Sequence, residues 1–76
     1  MTEKIIEVLT EIRPDLDFNQ EKKLVTNGSL DSFDIVTIIS ELNDIYEIQI
    51  KVHDLIPENF DSIESIVNLV IRLQKK

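Results

Sequence analysis

Few residues of this chain have side chains suited to catalysis. The 76 residues include one histidine, one glycine and no cysteine. A thiolate nucleophile and thiolate-bound zinc are therefore excluded, and Gly28 alone cannot form a glycine-rich loop around a phosphate. His53 has no partner nearby in the sequence, and its place beside Asp54 is typical of a surface residue or a helix-end cation. We therefore expect no enzymatic activity from the protein side chains.

The remaining candidate for chemistry is a serine at the start of an amphipathic stretch. Ser32 follows Asp31 and precedes Phe33, and the preceding Asn27-Gly28-Ser29 is typical of a turn. The simplest interpretation is structural, because Asp31 or Ser32 can each cap a helix N-terminus. Helical spacing by itself favours this interpretation over a chemical role.

Hydrophobic periodicity predicts the helices that place this serine. The first helix should span residues 2–13 and end before Pro14, and the second should begin at Asp31 or Ser32 and end near residue 46. A short helical turn is expected over residues 52–56, stopped by a proline, while residues 47–51 are too few to pair as a sheet. The sequence thus predicts one domain over residues 1–76, a small all-α bundle of three main helices plus one short helix.

The last helix should open at Asp61, because Glu64 follows at the spacing of a capping box. In the long connection before the second helix, spaced apolar residues are expected to reach the core. They are Leu16, Phe18, Leu24 and Leu30. Three stripes are expected to be buried. They comprise Ile5, Val8, Leu9 and Ile12, with Ile6 beside them; Phe33, Val36, Ile39, Leu42 and Tyr46 or Ile45, with Ile35 and Ile38 alongside; and Ile63, Ile66, Val67, Val70 and Leu73.

The net charge of the chain disfavours some classes of binding partner. Fifteen acidic residues against eight basic ones give a net charge of −7. Nucleic acid and anionic membranes are therefore disfavoured, since both need clustered Lys and Arg. No segment approaches the ~20 apolar residues of a membrane span. We expect a cytoplasmic monomer that is attracted to basic patches on other proteins.

The segment Asp31-Ser32-Phe33 resembles the modification site of the acyl carrier protein family, in which Asp-Ser precedes Leu, Ile, Met or Phe at the start of the second helix. The similarity covers nearly the whole chain. The apolar helix before Pro14 looks like the family's first helix. Residues 42–50 are similar to the segment at the end of the family's second helix. Phe60-Asp61-Ser62-Ile63 looks like the motif at the start of the family's last helix.

The resemblance implies that Ser32 is esterified through a phosphodiester to 4′-phosphopantetheine taken from coenzyme A. The thiol of this arm, rather than a protein side chain, would carry acyl or aminoacyl groups as thioesters. Implied partners are a phosphopantetheinyl transferase, an activating ligase or acyltransferase, and a downstream acceptor enzyme. A helix N-terminus suits this role, because its free N–H groups and the positive end of its dipole favour a phosphate.

An acidic recognition face is a second implication, although a solvated helix face explains the same charges equally well. Its expected members are Asp31, Phe33, Asp34, Glu41, Asp44 and Glu47. Thr37 and Asn43 stand where fatty-acid carriers often have acidic residues. Phe33 replaces their usual leucine and resembles D-alanyl and other ligase-loaded carriers. Fatty-acid, polyketide and nonribosomal-peptide pathways all remain open for the cargo.

Two further points stay open in the sequence. Phe33 either packs into the junction between the second helix and its preceding loop or remains exposed to a partner, and the packed arrangement is slightly favoured. If the bundle shelters an acyl chain, the residues expected to line that space are Val36, Ile39, Ile56 and Ile66. The alternative to a carrier is an unmodified acidic helical module that binds a basic partner by charge.

Overall fold

A computed structural model describes residues 1–75 of the chain. Within this range there are four α-helices, one 3₁₀ turn and no strand. They are α1 (Thr2–Ile12), α2 (Ser32–Tyr46), the 3₁₀ turn (Val52–Asp54), α3 (Pro57–Phe60) and α4 (Ile63–Gln74). The predicted all-α bundle with three main helices is confirmed. The expected single short helix is instead two short pieces, because Pro57 occupies the first turn of α3 rather than only ending the piece before it.

The three long helices enclose one apolar core. α1 packs against both α2 and α4, and α4 also contacts α2 and the short α3. The largest fully buried side chains come from all three long helices, from α3 and from the connection between α1 and α2. They are Phe60, Ile5, Leu9, Leu24, Ile38, Leu42, Ile66, Leu69 and Val70. Leu69 is a core residue that the predicted stripe of the last helix omitted.

The long connection between α1 and α2 is fastened to the core by its own apolar residues. Phe18, Leu24 and Leu30 are buried, and Leu16 packs against the core while partly exposed. This prediction is confirmed. Gly28 has a φ of 77°, a left-handed conformation that glycine adopts without steric cost, at the turn expected there. The connection that leads to α2 is therefore packed against the core along its length.

The buried face of α2 differs from the predicted one. Ile38 and Leu42 are buried, whereas Phe33 is 85% exposed and Val36 is 61% exposed. Ile39 and Tyr46 are partly buried, as expected, and Ile35 shares that side of the helix. The prediction was wrong for Phe33 and Val36. More than half of the residues of α2 are apolar, so helical spacing admits two stripes, and packing against α1 and α4 selects the one through Ile38 and Leu42.

The start of α4 also differs from the prediction. Ser62 is the N-cap, and its hydroxyl accepts a hydrogen bond from the Ser65 amide at 3.1 Å. Asp61 was expected in this role, and that expectation was wrong. Ser62 is followed by Ser65 at the same three-residue spacing that separates Asp61 from Glu64, so the helix begins one residue later. Asp61 is thereby left free for contacts outside α4.

Candidate functional site

Ser32 is exposed and is the first residue of α2. Asp31 is the N-cap, and its Oδ1 accepts a hydrogen bond from the Asp34 amide at 2.9 Å. In return, Oδ2 of Asp34 accepts from the Asp31 amide at 3.3 Å, which completes a capping box. Of the two capping residues that the sequence allowed, the structure uses Asp31. Within residues 1–75 the Ser32 hydroxyl has no hydrogen bond, so it is not committed to holding the helix.

Arg13, which directly follows α1, reaches across to the start of α2. Its Nη1 donates to the Ser29 carbonyl at 2.9 Å and to Oδ2 of Asp34 at 2.6 Å. Its Nε and Nη2 donate to the two carboxylate oxygens of Asp15, at 3.0 and 2.9 Å. The hydrogen bonds from Arg13 hold the pKa of Asp15 below its usual range. We call these four residues the Arg13 clamp. The sequence did not suggest it, because Ser29 and Asp34 lie 16 and 21 positions away from the arginine.

Asp61 fastens the same connection to the start of α4. Its Oδ1 accepts hydrogen bonds from the amides of Val25 and Thr26 at 2.9 and 2.8 Å, and its Oδ2 accepts from the Thr26 hydroxyl at 2.7 Å. Its backbone carbonyl accepts from the Leu24 amide at 2.8 Å, and the Leu24 carbonyl accepts from the Leu30 amide at 2.9 Å. The residue just before Asp31 is thus connected through Leu24 to α4.

The protonation of Asp61 follows from these contacts. Desolvation works to raise its pKa, but the hydrogen bonds from Thr26 and Val25 outweigh it, so the pKa lies below the usual value for an aspartate. The carboxylate is therefore ionised throughout the neutral range. Together, Arg13 and Asp61 tie the chain before Ser32 to the end of α1 and to the junction between α3 and α4.

The six residues predicted for partner recognition do not form one uniform face. Phe33, Glu41 and Asp44 lie along the exposed side of α2, and Asp31 and Glu47 are exposed at its two ends. Asp34 differs from them, because its side chain is only 15% exposed and is paired with Arg13. Asp34 thus faces the clamp rather than solvent. The exposed side of α2 combines an aromatic ring with carboxylates.

A small apolar cavity of about 170 Å³ lies between α2 and the short α3. Its lining residues are Val25, Ile35, Leu55, Ile56, Pro57 and Phe60. Of the four residues expected to line a sheltered space, only Ile56 is among them. Val36 is exposed and Ile66 is fully buried in the closed bundle. Their expected contact with an acyl chain in an opened bundle stays a prediction. Ile39 packs against the core without lining this cavity.

The single histidine lies away from Ser32, next to the 3₁₀ turn. His53 is exposed, and its Nε2 is 3.7 Å from Oδ1 of Asp54, as expected of a surface residue. Within residues 1–75, no three residues among the His, Asp and Glu side chains gather at a distance that would hold a metal ion. The cluster of polar contacts around the start of α2 is therefore the candidate site.

Comparisons with protein-family models, with curated proteins and with solved structures found no match. In the part of the chain that the structure describes, no helix is both long enough and apolar enough to cross a membrane. The fold and site define a small all-α bundle with an exposed serine at the N-terminus of its second long helix.

Proposed function

We propose that this protein is a carrier whose Ser32 bears 4′-phosphopantetheine and whose cargo is held as a thioester on the thiol of that arm. One observation carries the proposal: Ser32 is exposed in the first turn of a 15-residue helix, with the capping work done by Asp31. The residue order Asp31-Ser32-Phe33 resembles the modification site of the acyl carrier protein family. A transferase requires a serine whose hydroxyl is exposed to solvent and does not cap the helix.

The electrostatics around Ser32 support a phosphodiester there. The amides of Ser32 and Phe33 belong to the first turn of α2, where no carbonyl lies four residues earlier within the helix to accept from them. These N–H groups and the helix dipole favour an anion. Asp31 and Asp34 oppose it, but the charge of Asp34 is partly compensated by Arg13 at 2.6 Å, which also pairs with Asp15. The phosphate would therefore face less repulsion than the sequence alone indicates.

The exposed side of α2 supports the proposed partners. A phosphopantetheinyl transferase must reach Ser32 with coenzyme A, and a ligase or acyltransferase and an acceptor enzyme must later reach the arm. Phe33, Glu41 and Asp44 offer these enzymes an aromatic contact and two carboxylates for basic residues. As part of the same proposal, we place the carrier in the cytoplasm, acting as a monomer and catalysing nothing itself.

The intact mass of the protein tests this proposal. Incubation with coenzyme A and a phosphopantetheinyl transferase of broad specificity should add one phosphopantetheine per chain. Ser32→Ala should abolish the addition completely. Ser40→Ala is the matched control, because Ser40 is an exposed serine on the same helix and its removal should leave the addition unchanged.

Two results would contradict the proposal. Addition that survives in Ser32→Ala, or disappears in Ser40→Ala, would place the modification elsewhere. A wild-type chain that remains unmodified with several transferases would favour the rival function, an acidic helical module that binds basic partners by charge alone.

A further inference from the structure

We propose that Arg13 is a positioning residue for Ser32, acting through the Arg13 clamp on the segment that carries the serine. This inference rests on the proposed function and adds to it Arg13, the residue that follows α1. Nη1 of Arg13 binds the Ser29 carbonyl and Oδ2 of Asp34, which lie on either side of Ser32 in the chain. One nitrogen thus fixes both ends of a six-residue stretch whose interior holds the modified hydroxyl.

The clamp continues to the residue next to the serine. Asp34 accepts from Arg13 and also from the Asp31 amide, while Asp31 accepts from the Asp34 amide. Arg13, Asp34 and Asp31 therefore form a continuous chain of hydrogen bonds that ends beside Ser32. The side chains of Arg13 and Asp34 are only 29% and 15% exposed, so solvent weakens this ion pair less than it weakens an open surface pair.

Among the residues of the clamp, only Arg13 donates a hydrogen bond to the Ser29 carbonyl. The capping box between Asp31 and Asp34 and the hydrogen bond from the Leu30 amide to Leu24 do not require the arginine, so both can still form without it, but they open more often. The Ser29 carbonyl, in contrast, loses its hydrogen bond from Arg13. Residues 29–34 then sample several conformations. Only a fraction of the molecules have Ser32 in the conformation that it adopts in the presence of the clamp. The apparent affinity of an enzyme for Ser32 is then the intrinsic affinity multiplied by that fraction.

The kinetics of phosphopantetheine transfer test this role. With coenzyme A saturating, Arg13→Gln should raise the KM for the protein roughly five- to tenfold and leave kcat within about twofold. Arg13→Lys keeps the charge but lacks the planar fork of donors, so it should resemble Arg13→Gln. Arg72→Gln is the matched control. It removes the only other arginine, which donates to Asn59 at 3.0 Å, and should leave KM within about twofold of wild type.

Amide hydrogen exchange on the unmodified protein separates positioning from general destabilisation. In Arg13→Gln, the amides of Leu30 and Ile35 should exchange faster, while that of Ile66 in α4 keeps its wild-type rate. Equal acceleration at all three amides would mean that the arginine only stabilises the fold, and would overturn the inference.

The remaining outcomes are also decisive. A wild-type KM in Arg13→Gln, or full recovery in Arg13→Lys, would overturn the positioning role while the proposed function stands. Failure of the wild type to accept the group would instead remove the proposed function, and the inference with it.

Discussion

Phe33 directly follows the candidate serine, and 85% of its surface is exposed. The interpretation in which its ring packs into the junction before α2 is therefore wrong. Leu30 and Ile35 fill that region instead, one buried and the other partly buried. An exposed phenylalanine contributes little to the core, so the ring is available for contact with a partner. The exposure of Phe33 is compatible with a recognition role, which stays a prediction.

Replacing Phe33 with leucine should change the free energy of unfolding by less than about 0.5 kcal/mol, because the side chain is exposed. If an amino-acid- or small-acid-activating ligase contacts this ring, the modified variant should be loaded more slowly, mainly through weaker binding. The measurement is loading of the modified wild type and Phe33→Leu with a panel of amino acids and fatty acids. Val52→Ala is the control, since Val52 is equally exposed but lies outside α2.

The same panel also decides the cargo. Efficient loading with long fatty acids, equal in wild type and Phe33→Leu, would contradict the hypothesis that an amino-acid- or small-acid-activating ligase loads this carrier. Loading with amino acids that slows in Phe33→Leu and not in Val52→Ala would support it.

At the scale of the elements, Asp61 links the start of α4 to the connection before α2. Asp61→Asn should lower the free energy of unfolding at pH 7 by about 1–2 kcal/mol, because it weakens charge-assisted hydrogen bonds at a partly exposed site. The folded pKa is below the unfolded one, so the stabilisation is present above the unfolded pKa and is lost as pH falls through the folded pKa. The difference between wild type and variant should be complete above about pH 5 and shrink below about pH 4.

Urea unfolding of both proteins from pH 7 to pH 3 measures this difference directly. Taking the difference cancels the changing repulsion among the other carboxylates. Glu58→Gln serves as a control, because Glu58 is an exposed carboxylate close to Asp61 in sequence. A difference between wild type and Asp61→Asn that stays constant over the whole range would contradict the assigned role.

The sequence predicted the elements better than their contacts. The bounds of α1 and α2 follow from local signals, namely Pro14 after one helix and Asp31 before the other, and they agree with the structure within about one residue. The buried side of α2 was mispredicted because two apolar stripes of this helix fit a helical period. The N-cap of α4 was mispredicted because Asp61 and Ser62 both have a suitable residue three positions later. The Arg13 clamp and the contacts of Asp61 join residues far apart in the chain, so no local pattern could reveal them.

The charge of the whole molecule is only partly compensated by pairing. Fifteen acidic side chains face eight basic ones, so an excess of seven carboxylates has no cation to pair with one to one. Within residues 1–75 some of the cations are already engaged, for example Lys22 with Glu64 at 2.6 Å. The unpaired carboxylates share a protein only 32 × 23 × 19 Å in extent and repel one another.

Thermal stability should therefore rise with added salt, because ~0.1 M salt already screens exposed charges over about 10 Å. Magnesium or calcium chloride should produce the same rise at lower concentration than sodium chloride. The measurement is the melting temperature across both titrations. Glu41→Gln combined with Asp44→Asn removes two neighbouring exposed charges and should give a shallower salt dependence. A melting temperature that is indifferent to either salt would refute this account of the charge.

The contacts of the segments around and before Ser32 come from distant parts of the chain. Asp34 is 21 positions from Arg13, and the amides of Val25 and Thr26 are 36 and 35 positions from Asp61. A short peptide copied from the start of α2 would contain the serine and its capping box but neither of these ties. Such a peptide would also be too short to form a stable helix by itself. A fragment that preserves the surroundings of this serine must therefore include Arg13 and Asp61 together with α2.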